Sequence, residues 1–475
     1  MDSYQIIRKP FQLRLRTGER RLILVVGDFL ASILALLVAL YFWAQKDAWL
    51  DFSFDFLRDR PDVWFYFLPF AWMLLLVELY DIRRAGRVSE TLRGIGIAVA
   101  LGLGAYLFVF FLSPPNSLPR RGFLVFVLAT SVLTLVWRLL YIRIFTAPLF
   151  MRRALIIGAG RAGSTLAQVI RGIWPPPFFV IGLIDDDPQK LNTEIEGFPV
   201  LGGSDRLPQI IKEQQISDLI IAISGEMSPR MFEALVTAEE QGIEITTMPV
   251  VYEDILGRVP IFLLQSDWIL RSFVDEAHTG SFYEFAKRLM DIWGGLMMGL
   301  VLLILLPLIT LAILFDDGLP IFYTQERMGK SGKRYKIFKF RTMRKDAESD
   351  GIARPAKEND ERVTRVGRLL RKSHLDEFPQ FLNVLRGEMS LVGPRAERPE
   401  IVEELQAQIP FYRARLLVRP GVTGWAQINF GYASTVAANG IKLEYDLYYI
   451  KHRNLLLDFT ILLRTVGAVV GFRGQ

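Results

Sequence analysis

The sequence predicts a membrane protein of mixed α and α/β class. It reads as an N-terminal four-helix transmembrane bundle, a Rossmann-like α/β domain, and a C-terminal domain associated with the membrane. Three observations predict this. Four apolar segments of bilayer length precede residue 150. A G-x-G-x-x-G run follows a short apolar strand pattern just after residue 153. A further apolar stretch without charge, Ile292–Phe315, opens the C-terminal part. The 475 residues, 51% of them hydrophobic, suit about three domains. The expected division is 1–150, 151–265, a linker at 266–284, and 285–475.

The first four segments are Leu22–Trp43, Val63–Tyr80, Leu92–Leu112 and Phe123–Ile142. Each is near the ~20 residues that a bilayer core requires. Arg14, Arg16, Arg20 and Arg21 precede the first. Arg83, Arg84, Arg87 and Arg93 lie between the second and third, and Arg143, Arg152 and Arg153 follow the fourth. Positive loops face the cytoplasm, so both ends of this bundle are expected inside. No cleavable leader is expected, because the first segment is too long and no small-residue cleavage site follows it. Asp28 and Glu78 fall near cytoplasmic ends, where solvation at the interface is expected.

The middle part alternates strand and helix patterns. Ala154–Gly158 reads as a buried strand, and Gly158, Gly160 and Gly163 open a helix. A second strand, Phe178–Ile184, ends at Asp185. Asp218–Ile223, Pro229–Gln241 and Ile243–Met248 continue as strand, helix and strand, which is a doubly wound pattern. The glycines would let a pyrophosphate approach, and Asp185 would hold a ribose hydroxyl. Nucleotide binding and a purely scaffolding role both remain open for this domain.

The C-terminal part carries the chemistry. Ile292–Phe315 is long enough to span a bilayer, and Pro307 in its middle removes a helix hydrogen bond. Read alone, it is a kinked spanning helix. Gln325–Lys345 holds nine Lys or Arg and one acid, interleaved with Tyr335, Phe338 and Phe340. Beside an apolar segment this suits lipid headgroups and diphosphates better than nucleic acid. Asp376 and Glu377 are adjacent at the head of an expected helix ending at Gly387, with Pro379 in its first turn. Unpaired N–H groups there would keep carboxylates ionised and could bind phosphate. No cysteine is present, which excludes disulfides, thiolate metal sites and cysteine nucleophiles.

The ordered motifs KRLMD (Lys287–Asp291), QERMG (Gln325–Gly329), FKFRTM (Phe338–Met343), SHLDEFPQ, GEMSLVGPRAERP, RPGVTGWAQINFGY (Arg419–Tyr432) and KLEYDLYYIKH (Lys442–His452) follow one another. Together they resemble the bacterial polyprenyl-phosphate hexose-1-phosphate transferases, the large monotopic phosphoglycosyl transferases. Phe378 and Ala396 replace the Leu and Pro usual there, and no charged group is lost. The resemblance implies a catalytic domain at 285–475 whose membrane helix, 285–315, is re-entrant and keeps the site on the cytoplasmic side of the bacterial inner membrane. It implies transfer of hexose 1-phosphate from a UDP-sugar, glucose or galactose, to undecaprenyl phosphate, initiating exopolysaccharide, capsule or O-antigen synthesis. Asp376 would be the nucleophile, forming a phosphosugar–aspartyl intermediate. Asp376 and Glu377 would hold Mg²⁺. Arg371, Lys339, Arg341, Gly393, Pro394, Arg395 and Arg398 would bind substrate phosphates. Membrane lipids and a second copy of the chain are further expected partners; nucleic acid is not.

One competing function is a membrane-anchored, NAD-dependent nucleotide-sugar dehydratase or epimerase. The glycine motif suggests it, and Tyr335 and Lys339 match the required Tyr-x-x-x-Lys spacing. They lie outside the α/β domain, so the spacing is read as coincidence. A non-catalytic scaffold leaves the ordered motifs after Lys287 unexplained.

Overall fold

In a computed structural model, residues 17–45, 50–80, 82–114, 118–145, 151–174, 176–263, 280–344, 347, 360–431, 433 and 435–470 are described. The linker expected at 266–284 falls mostly outside them. The chain forms two compact units, Met1–Val251 and Tyr252–Gln475.

The first unit begins with α1 (Thr17–Ala44). Short helices α2 (Phe54–Asp59), α3 (Val63–Tyr66), α4 (Leu68–Leu75) and α5 (Ile82–Ala85) follow, then α6 (Val88–Leu112) and α7 (Arg120–Phe145). The second expected span is therefore broken. Val63–Tyr80 divides into α3, α4 and a 3₁₀ turn at Val77–Tyr80. Pro69, in the first turn of α4, offers no N–H to a preceding turn, so a helix restarts there. Trp72 and Leu76 still pack among α1, α6 and α7. Asp28 is not solvated as expected. It is fully buried and forms an ion pair of 2.6 Å with Arg138, which also donates to the Leu79 carbonyl. A buried pair of this kind persists only because each charge is matched.

The α/β part follows as β1 (Arg153–Ile157), α8 (Arg161–Arg171), β2 (Phe179–Ile184), β3 (Glu194–Ile195) and β4 (Phe198–Gly202). It continues with α9 (Leu207–Gln214), β5 (Asp218–Ile221), α10 (Pro229–Glu240) and β6 (Glu244–Thr247). The strand order is β3-β4-β2-β1-β5-β6. All neighbours pair in parallel except β3 with β4. Leu155, Ile157, Ile184 and Leu219 fill the sheet core. The β3–β4 hairpin escaped the sequence reading because its first strand is only two residues long.

After α11 (Met248–Leu256), the second unit is organised on α12 (Ser281–Asp317), a helix of 37 residues. Pro307 lies inside α12 and does not end it. The re-entrant helix expected at 285–315 therefore shows no interruption of helical structure. Among the described residues, four helices are long and apolar enough to cross a membrane: residues 18–44, 88–111, 120–145 and 281–317.

An antiparallel hairpin follows, β7 (Phe322–Met328) and β8 (Arg334–Phe340). Next come α13 (Arg365–Lys372), a 3₁₀ helix (Leu375–Gln380), α14 (Phe381–Arg386), β9 (Ser390–Val392) and α15 (Pro399–Gln408). A 3₁₀ helix (Tyr412–Leu417), β10 (Gly421–Thr423), α16 (Trp425–Asn429), α17 (Val436–His452) and α18 (Leu455–Val470) complete the unit. Val259 and Ile261 belong to its core with Val384, Val392, Leu443 and Leu447. Trp425 donates to the Gly257 carbonyl at 2.7 Å, and Tyr412 and Tyr449 are buried. Tyr412 and Tyr449 belong to the core, and Trp425 packs against it.

Candidate active site

The acid pair opens a 3₁₀ helix, one residue earlier than the sequence suggested, and α14 follows it directly. Gly387 ends α14 with φ of 80°, a conformation glycine adopts without a Cβ clash. His374 precedes the pair with φ of 56° and is exposed. Asn383 fixes the segment to the hairpin: it donates to the Lys336 carbonyl at 2.8 Å and accepts from the Phe338 amide at 3.2 Å.

The two carboxylates have different surroundings. Both are 8% exposed. Glu377 Oε1 accepts from Lys339 at 2.6 Å and from Arg395 at 2.8 Å. Burial pushes the Glu377 carboxyl up, but Arg395 and Lys339 outweigh it and hold it well below the usual range. Asp376 makes no hydrogen bond or ion pair among the described residues. Burial, and then the Glu377 charge, push its carboxyl up despite the nearby cations. The expectation that the helix terminus favours the ionised form thus agrees with the direction of the shift at Glu377, whereas Asp376 is shifted the other way. The terminus is a short 3₁₀ turn, and the strong local charges are committed to Glu377.

The expected phosphate ligands also separate. Lys339 and Arg395 reach the acid pair, and the Arg395 side chain keeps 42% of its surface exposed. Arg371 uses its Nε on Thr342 Oγ1 at 2.9 Å, and its charge acts on Asp376. Gly393 and Pro394 form the approach to Arg395. A Cβ on Gly393 would lie 2.4 Å from the Arg419 carbonyl, so only glycine fits. Arg398 caps α15. Arg341 is directed elsewhere: it is 7% exposed, pairs with Asp317 at 3.3 Å, and donates to the carbonyls of Asp317, Gly318 and Leu319. Cations favour a helix C-terminus, and the end of α12 claims this one.

In the first unit, Gly158, Gly160, Gly163 and Asp185 do come together. Gly158 has φ of 107°, and a Cβ on Gly163 would meet the Gly158 carbonyl at 1.9 Å. Asp185 is already engaged. It accepts from the amides of Ala159 at 2.7 Å and Asp187 at 2.9 Å, and pairs with Lys190 at 3.1 Å.

The bacterial sugar transferase family matches residues 282–472. A relative from Rhizobium leguminosarum bv. phaseoli, an exopolysaccharide production protein, is 39% identical over 38% of this chain and 92% of its own. The chain belongs to the bacterial sugar transferase family. An undecaprenyl-phosphate glucose phosphotransferase from Komagataeibacter xylinus is 29% identical over 82% of this chain and 73% of its own. An N-acetylgalactosaminephosphotransferase from Aeromonas hydrophila is 38% identical over 46% of this chain, which spans 50% of that protein. Residues 76–249 match a family described as a CoA-binding domain.

The family match spans every element around Asp376 and Glu377, α12 included. It also spans charged residues to which the sequence reading gave no role. Behind Arg395, buried Arg415 reaches Asp446 at 2.9 Å, Lys442 reaches partly buried Glu397 at 2.7 Å, and Arg327 donates to the Ala396 carbonyl. The signal was present, since all but Arg415 lie in the quoted motifs. Motifs rank residues, however, and do not pair them.

Proposed function

We propose that this family member transfers hexose 1-phosphate from a UDP-hexose to undecaprenyl phosphate, through covalent attachment to Asp376. The observation carrying this reading is the division of labour in the acid pair. Glu377 is fixed by Lys339 and Arg395, and Asp376 beside it keeps its carboxylate unengaged among the described residues. A carboxylate oxygen of Asp376 attacks the β-phosphorus. The bond from that phosphorus to the bridging oxygen breaks, and UMP leaves. An oxygen of undecaprenyl phosphate then attacks the same phosphorus and returns the electron pair to Asp376. Two displacements replace one difficult step. Arg395, partly exposed and forked, grips donor phosphate oxygens, as does the outer part of Arg371.

The residues fit Mg²⁺. This ion takes one or two carboxylates and completes its shell with phosphate and water oxygens. Asp376 and the second oxygen of Glu377 are such donors. When bound there, the ion would neutralise the diphosphate and the leaving UMP.

We place the site on the cytoplasmic side of the inner membrane, where nucleotide sugars are made. For α12 to return to the face it enters it must bend, and Pro307 inside it is the position where a missing helix hydrogen bond supports that bend. Arg288, near its start, donates to the carbonyls of Val384 and Leu385 in α14. At its end, Asp316 accepts from the Val366 amide at 2.8 Å. Arg288 and Asp316 are separated by about 42 Å along a straight helix, and the segment from Val366 to Leu385 lies against that length, so the acid pair is packed on α12 itself. Its outward face is apolar throughout, with Phe285, Trp293, Leu303, Ile304, Leu308 and Phe315 exposed. In the first unit, both termini of the bundle stay cytoplasmic if the broken segment 63–80 crosses, which its packing permits.

The test is incubation of purified protein with a panel of UDP-hexoses and undecaprenyl phosphate, measuring UMP release. Release that needs no lipid acceptor and leaves free sugar phosphate would reject transfer. No release with any UDP-sugar would reject the reading.

A further inference from the structure

We infer that Arg415 is a positioning residue for Arg395, and that Asp446 orients it for that task; the inference rests on the reading of Arg395 as a donor-binding group. Arg395 lies between β9 and α15, where a single parallel bridge to Gly421 is its one sheet-like pairing, and its side chain is partly exposed. Such a residue would ordinarily sample several positions. Its guanidinium must nevertheless stay 2.8 Å from Glu377.

The backbone around it is held from behind. Three consecutive carbonyls each accept a hydrogen bond. Pro394 receives the Gly421 amide at 2.9 Å, Arg395 receives Arg415 at 2.9 Å, and Ala396 receives Arg327 at 3.2 Å. Two of the three donors are guanidinium groups. Arg415 is 4% exposed. The nitrogen that reaches the Arg395 carbonyl also reaches Asp446 at 2.9 Å, and the other terminal nitrogen donates to the Tyr412 hydroxyl at 2.7 Å. Asp446 is 2% exposed and comes from α17, near the far end of the sequence. A planar fork can bridge a carboxylate, a hydroxyl and a carbonyl in fixed directions; an ammonium cannot. The set therefore runs from Asp446 through Arg415 to the Arg395 backbone, and from the Arg395 side chain to Glu377.

The test uses the full chain with Arg415→Lys, Asp446→Asn and Arg327→Lys. The first readout is hydrogen exchange of the peptide spanning residues 392–397 in unliganded protein. The second is UMP release from UDP-glucose, each substitution being made alone and also with Arg395→Lys. Arg415→Lys and Asp446→Asn should speed exchange in that peptide at least tenfold and leave the rest of the chain unchanged. Turnover should fall tenfold or more when Arg395 is intact and less than twofold when it is already Lys. Equal losses in both backgrounds, or unchanged exchange, would overturn the inference. If Arg415→Lys does not fold, the near-isosteric Asp446→Asn decides. A wild-type protein that releases no UMP sinks the transfer reading alone, because exchange still reports whether Arg415 holds the loop.

Discussion

Lys339 and Arg395 converge on a single oxygen of Glu377, at 2.6 and 2.8 Å, one from the hairpin and one from the loop after β9. Replacing Glu377 with Gln leaves two cations facing an amide. We expect turnover to fall by roughly a hundredfold, the order found when a preorganised charged group of an active site is removed. Lys339→Met should be similarly damaging. UMP release by the two variants, compared with their melting temperatures, separates a site effect from unfolding.

Asp376→Asn should abolish turnover and leave the fold intact. The amide has the same shape and no nucleophilic oxygen, and no described partner is lost. Wild-type protein given only UDP-sugar should gain one hexose phosphate on the peptide holding Asp376, seen by mass spectrometry. Near-normal UMP release from the Asn variant would reject the nucleophile.

Glu444 should make stability pH-dependent. Burial pushes its carboxyl up from 4.5 to about 7, only partly offset by Arg258 and Tyr252. The folded state thus binds the proton more tightly than the unfolded chain. The contribution is fully present below pH 4.5, declines as pH rises towards 7, and is absent above it. Its full size is at most about 3 kcal/mol. Glu444→Gln should flatten this slope, measured as thermal unfolding in detergent from pH 5 to 8. An unchanged slope would reject the assignment.

The second unit should tolerate removal of residues 1–251 and fail on removal of 1–262. Gly257 accepts from Trp425, and Val259 and Ile261 are fully or almost fully buried. Losing two such side chains costs several kcal/mol, at about 1.5–3 kcal/mol each. Membrane-bound yield and UMP release of the two truncations provide the comparison. Equal behaviour would show that 252–262 is dispensable.

Single cysteines can be introduced without background, because the chain has none. Cysteines at Ser281 and Lys333 flank α12, and both positions are exposed. Both should resist an impermeant thiol reagent in intact cells and react after lysis. Labelling of only the Lys333→Cys variant from outside would mean that α12 spans.

Much of this was legible in the sequence because it depends on local pattern. The strands after Met151, the glycine turn at Gly158 and the acid pair were each fixed by a few neighbouring residues. Local pattern failed where tertiary contacts decide. Hydropathy over Val63–Tyr80 could not show that Pro69 restarts a helix. A proline rule could not show that α12 continues through Pro307, because packing on both sides of it sustains the helix. Charge type marked Arg341 as a phosphate ligand, although the carbonyls ending α12 take it. Arg415 and Asp446 are 31 residues apart, and no spacing rule joins them.

A Cβ at Gly294, Gly295 or Gly299 would press on Leu391, Leu385 or Phe381. The membrane-facing helix is thus also the floor beneath the acid pair, and anchor and catalyst cannot be separated by a cut. Deleting α12 to obtain a water-soluble enzyme would remove that floor. A soluble form would instead come from repainting the outward side, at Leu303, Ile304 and Leu308, and leaving the glycine side untouched. Natural divergence should follow the same line, with free exchange among apolar residues outside and little room for change within.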